Sequence, residues 1–151
     1  MIVMPQLLSE LPTTSVRTLG KEITPSTVAK DPGIYIDQSL TYNEQIAKTF
    51  STCLHELVQI NTIKNFLDKE TILLLVSSFV FSKLFYCSTV LSNTSKHNIN
   101  KLQLVQNFAA RVDLGLKKID HISQAIKSLN WLPVNHRISL NDAVMMYKCI
   151  N

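Results

Sequence analysis

Apolar positions change rhythm along this chain, and the change divides it. Up to Asp37 they fall in short runs broken by prolines; from Leu40 they recur at helical spacing. The first part reads as loop and short strands, because Pro5, Pro12, Pro25 and Pro32 break any helix there. Residues 15–19 and 22–24 flank Gly20-Lys21, a pair suited to a two-residue hairpin turn. Residues 33–37, GIYID, form a β-branched and aromatic strand. So few strands make no independent sheet; the region resembles a sheet edge without its other strands.

The helical part opens with a stripe of Ile46, Phe50, Cys53, Leu54 and Leu57, with Lys48, Thr52, Glu56 and Gln59 off it. This predicts a helix over 43–65. Asp68 suits the N-cap of a second helix. That helix holds the most apolar run of the chain, residues 72–91, ILLLVSSFVFSKLFYCSTVL. At about 20 residues it reaches the length of a membrane span. Lys83 inside it would cost about 2.5–3.5 kcal/mol near a bilayer centre, and its serines and threonine dilute it further. The run is therefore read as a helix of a protein core, buried on most sides. A third helix opens near Asn98, carries Leu102, Val105, Ala109 and Val112 on one face, and ends at Gly115. Asp120 or Ser123 caps a short fourth helix ending near Leu129. Trp131 and Pro133 make a corner. Residues 135–150 form a fifth helix, with Ile138, Met145 and Cys149 on one side and Leu140, Val144 and Tyr147 on the other. The fold class is mainly α: about five helices in a bundle, with a small N-terminal β-element. The first three helices are expected to pack together around the 72–91 run.

Composition changes this picture in two ways. Hydrophobic residues make up 46% and charged residues 17%, a low charge content that suits apolar surface covered by a partner or by more of a longer chain. Charge is also uneven. Residues 1–80 hold six Lys/Arg against eight Asp/Glu, and residues 81–151 hold nine against three, so the halves carry −2 and +6. A basic half fits a polyanion partner or an ordinary solvated face. Cys53, Cys87 and Cys149 are odd in number and widely spaced, and read as free, mostly buried thiols in a reducing compartment. The N-terminus MIVMPQLLSELP has no basic n-region and too short an apolar run for a secretory signal.

Catalytic signatures are missing: there is no GxSxG, no glycine-rich phosphate loop and no HExxH. Asp31 and Asp37 stand six apart across a proline with no third acid, a poor start for a two-metal site. His55 reads as a solvated residue beside Glu56. The remaining candidates are basic. Lys96, Lys101, Arg111, Lys117, Lys118 and Arg137, with Lys127 beside them, suit phosphate contacts that do not read bases. Aromatic residues are not interleaved with them, so stacking on single strands is not indicated, and Trp131 reads as a packing residue of its corner.

Several segments resemble a known family. VAKDPGIYIDQSLTYNEQIAK, LLLVSSFVFSKLFYCSTV, INKLQLVQNFAARVDLGLKK and LNWLPVNHRISLNDAVMMYKCIN look like the tail of the reverse transcriptase of non-long-terminal-repeat retrotransposons, of the jockey-like long interspersed kind. The matching residues are Lys30, Gly33, Asp37, Ile46, Tyr86, Cys87, Leu102, Gln106, Ala109, Arg111, Leu129, Trp131, Pro133, Arg137 and Tyr147, in the family's order. The resemblance implies a remnant of the palm edge at 1–37, a thumb-like bundle at 38–118 and a truncated post-thumb segment at 119–151. In that family the catalytic aspartates lie upstream, in FxDxx-like and YADD motifs that this chain lacks. It therefore implies a non-catalytic, intracellular fragment without cofactor, metal or membrane. Its partner would be a template–primer duplex held through phosphates, and normally the rest of the polymerase. Pro32, Gln45, Leu91 and Asp113 depart from the family pattern. The alternative is a helical protein-interaction module with no nucleic-acid role, driven by exposed apolar surface.

Overall fold

The computed structural model describes residues 15–24, 26, 28–31 and 33–150. The expectations attached to the N-terminal segment, to Pro25 and Pro32 and to Asn151 lie outside these residues. The fold is mainly helical, 66%, with five helices among the described residues and two small antiparallel strand pairs.

β1 (Val16–Thr18) pairs with β2 (Lys21–Ile23). Thr18 lies opposite Lys21, so the turn is Leu19-Gly20, one residue earlier than the sequence suggests. Both turn residues have positive φ, 51° and 78°, as a tight hairpin turn requires. β3 (Val28–Asp31) is an unexpected strand; it pairs with β4 (Ile34–Asp37), with Asp31 opposite Ile34. The sheet edge anticipated at residues 33–37 thus has a partner next to it in the chain. Gly33, at φ 88°, lies against Tyr86: a Cβ there would come within 2.6 Å of the tyrosine oxygen.

Asp37 turns the chain from β4 into α1 (Asn43–Ile63). Its carboxylate accepts from the Ser39 amide (3.1 Å), the Thr41 amide (2.9 Å) and hydroxyl (3.0 Å), and the Tyr42 amide (2.6 Å). Burial pushes its pKa up, but these hydrogen bonds outweigh it and hold the carboxyl below the usual value. Gln45, on the first turn of α1, accepts the Tyr35 amide at 3.0 Å and ties helix to strand.

α1 is the hub of the bundle, packing on β4, on the 72–91 run and on α3. Its expected stripe forms: Ile46, Cys53, Leu57 and Ile60 are buried, with Phe50 and Leu54 at the edge. The 72–91 run departs from expectation in three ways. It is not the middle element, and it is not one helix. α2 begins as Lys69–Leu75, widens to a π-helix over Val76–Phe81 and closes with one turn, Ser82–Leu84. Cys87, in the left-handed region at φ 49°, breaks the chain direction, and a 3₁₀ segment Ser88–Leu91 follows. Nor is α2 buried on most sides. Ile72, Val76, Val80 and Leu84 are buried, while Leu74 is 65% and Phe79 51% exposed.

That stripe advances four residues at each step. On a straight α-helix each step overshoots a full turn by about 40°, so the stripe would wind off α1. The wider π turn, with its i→i+5 bonds, removes part of that rotation. The Cys53 thiol, fully buried, meets the Val80 carbonyl at 3.6 Å beneath it.

α3 (Lys96–Leu114) starts at Ser95, whose hydroxyl accepts the Asn98 amide, a little earlier than the opening near Asn98 read from the sequence; it ends at Gly115 with φ 65°, as the sequence predicts. Buried Asn98 donates to Asn43 at 2.7 Å and to Thr94 at 3.0 Å, joining the starts of α1 and α3. α4 (Ile122–Ser128) packs on the end of α3 around Ala110, Ala125 and Ile126. Asp120 does not cap it; its carboxylate accepts the Lys117 amide at 2.6 Å, and His121 stands at the N-cap. α5 (Val134–Ile150) buries only Val134 and Ile138. Leu140, Val144, Met145 and Tyr147, which the sequence places on two sides of this helix, are exposed. Val134, Ile138 and Trp131 belong to the same hydrophobic cluster as α1–α3, so residues after 119 share a core with the bundle. No helix among the described residues is long and apolar enough to cross a membrane.

Candidate nucleic-acid interface

The six basic residues singled out from the sequence stand along α3 and beyond it. Lys96 is in the first turn and Arg111 in the last, fifteen residues on, which separates them by about 22 Å of helix axis. Lys117 and Lys118 follow in the exposed connection to α4, and Arg137 is on the first turns of α5. They form a dispersed basic surface, not one pocket. Arg111 is half-buried, and its Nε lies buried with no hydrogen-bond partner among the described residues. Arg137 lies over the ring of Phe85, 5.2 Å from its centroid.

A second basic group is more compact, and sequence reasoning missed it as a site. Lys30 on β3, Lys48 on α1 and Lys83 on α2 line one groove of about 320 Å³ with Tyr35, Thr49, Thr52 and Tyr86. Lys48 lies 3.4 Å and Lys30 5.6 Å from the centre of the Tyr35 ring, so one aromatic ring meets two ammonium groups. Glu44 pairs with Lys48 at 2.7 Å, and this bond holds the ammonium pKa above its usual value despite some loss of solvent. Glu56 pairs with Lys83. The groove is therefore cationic but partly neutralised. The signal for it was present in the sequence: Lys30 is a matched residue, Lys48 lies off the apolar stripe, and Lys83 interrupts the apolar run. What the sequence lacked was the β3–β4 hairpin that brings Lys30 to the other two.

Several matched residues turn out to hold the fold together. Gln106, 99% buried on α3, donates to the Leu132 carbonyl at 2.8 Å and accepts from Gln103 at 2.9 Å. Gln103 in turn accepts the Val134 amide at 2.9 Å. Two glutamines one turn apart thus clasp both sides of Pro133. Trp131 meets Phe81 edge-on, with ring centres 4.6 Å apart, in the packing role the sequence gave it. Asp37 is taken up by the loop it organises, and the described residues contain no group of His, Cys, Asp or Glu arranged for a metal. Of the three cysteines only Cys53 is buried; Cys87 and Cys149 are exposed, against the expectation of mostly buried thiols.

Comparison with protein-family models, with curated proteins and with solved structures returns no match.

Proposed function

We propose that this chain is a thumb-like helical module of a retrotransposon-type reverse transcriptase, non-catalytic in itself, that holds a nucleic-acid duplex through its phosphates without reading sequence. What supports the reading is that the residues carrying the resemblance meet in space. Gly33 lies under Tyr86; Gln106 clasps the corner that carries Trp131 and Pro133; Arg137 covers the ring beside Tyr86. The dispersed cations of α3 and α5 and the lysine groove supply charge for phosphate contacts.

Filter binding against a duplex over a salt series tests it. If the six predicted cations each reach a phosphate, log K falls with log salt at a slope of about −5, and affinity drops about 10³-fold between 50 and 200 mM. Joint replacement of Lys30 and Lys48 by Gln shows whether the groove contributes: each lost contact flattens the slope by about 1. No binding at low salt, or binding indifferent to salt, refutes the proposal.

One observation favours a second reading, a protein-interaction module. α5 exposes Leu140, Val144, Met145, Met146, Tyr147 and Ile150. Sedimentation showing a monomer at all concentrations would count against it.

A further inference from the structure

The cavity between α2 and the Trp131 corner shares one residue, Arg137, with the duplex surface proposed above, and its other lining residues have no part in that surface. It measures about 440 Å³, within the range of small-molecule sites. Phe81, Phe85 and Trp131 wall it, with Phe81 5.6 Å from Phe85 and 4.6 Å from Trp131, centre to centre. Gln106 forms the floor, and both ends of its amide are already bonded, to Leu132 and to Gln103. The floor is therefore polar, with the orientation of its amide fixed by these two bonds. Ser77 and Ser82 line the side given by α2, and the Ser82 hydroxyl already donates to Ser78. Arg137 stands at the edge, its guanidinium above Phe85, and no carboxylate among the described residues pairs with it.

Aromatic walls favour a flat ring by area and by edge-to-face contact. A guanidinium without a carboxylate partner, held over one wall, favours an anionic group at the ring's rim, because its fork matches a carboxylate. The geometry points to a binding site for a small planar aromatic carboxylate, with the ring packed against the contiguous wall of Phe81, Phe85 and Trp131 and the carboxylate on Arg137.

The probe is 2-naphthoate, titrated into the full chain without nucleic acid by calorimetry and by ¹H–¹⁵N spectra. Trp131 is the only tryptophan, so its indole N–H peak reports this cavity without assignment. The expected result is a saturable shift of that peak. Arg137→Gln should weaken binding about tenfold, the value of a charge-assisted hydrogen bond. Neutral 2-naphthylmethanol should bind the unmodified chain about as weakly. Ser77→Phe, at an exposed position, should abolish binding by filling the ring site. Circular dichroism verifies that each variant is folded. No saturable shift in the millimolar range, or an Arg137→Gln affinity within twofold, overturns the proposal. Duplex binding and naphthoate binding are measured separately, so either can fail alone.

Discussion

Replacing Gln106 by Leu isolates the clasp between α3 and α5. The volume is nearly kept, so the substitution removes hydrogen bonds without opening a large cavity. Two bonds are lost at a fully buried site: the donation to Leu132 and the acceptance from Gln103. Each contributes about 1 kcal/mol net, and a buried carbonyl left without its donor adds a desolvation cost of similar size. The expected loss is about 2–3 kcal/mol. For a chain of this length that lowers Tm by about 5–10 °C. Urea unfolding followed by Trp131 emission and by far-ultraviolet circular dichroism measures it, and the slope m should stay unchanged. Gln103→Ala should cost less alone, and the two changes together should cost less than their sum, because they share a bond. A loss below about 0.5 kcal/mol for Gln106→Leu would refute the clasp, being the size of an ordinary surface change.

Other outcomes follow from single sites. Asp113 is buried with both carboxylate oxygens unpartnered; burial raises its pKa, and Lys69 only partly offsets this. A carboxyl with a raised folded pKa favours the folded state below its unfolded value of about 3.9, and that contribution is lost as pH rises through the folded value. Asp113→Asn should therefore stabilise the chain at pH 7 by about 1 kcal/mol, with the gain vanishing in acid, as urea midpoints across pH would show. Burial pushes the Cys53 thiol to about 11, so Cys87 and Cys149 should react promptly with a disulfide reagent at pH 8 and Cys53 only on unfolding. Three fast thiols would contradict this. Gly33→Ala should cost about 1–2 kcal/mol, because φ 88° is strained for alanine and the new Cβ must displace Tyr86. A neutral result in thermal melts would mean that the hairpin relaxes freely.

Most of the helical plan was legible because its signals are local. The Gly115 cap and the stripe of α1 each depend on neighbours within a few turns. Elements whose cause lies elsewhere in the chain were not legible. β3 forms only because β4 pairs with it, and its own sequence, VAKD, carries little strand preference. α2 ends early because Cys87 takes a left-handed conformation, which no propensity announces for cysteine. The outward half of α5 shows that apolar residues at helical spacing do not guarantee a partner surface. The site divides in the same way. Residue type indicated which side chains are cationic, but the meeting of Lys30, Lys48 and Lys83 needed the fold.

The π turn of α2 has a consequence for everything after it. One residue more than an α-helix would use is spent within Val76–Phe81, so the chain from Ser82 onward is rotated by about 100° from an uninterrupted helix. Phe85 faces the Trp131 corner because of that rotation, and beyond the break at Cys87 Asn141 reaches the Ser88 hydroxyl at 2.8 Å. Deleting a single residue there, Ser78 for example, would leave the composition almost unchanged. It would swing the aromatic wall of the cavity away from Arg137 and the 88–91 segment away from α5. The position of the second half of the molecule is thus a matter of counting: one added residue sets the phase of the rest.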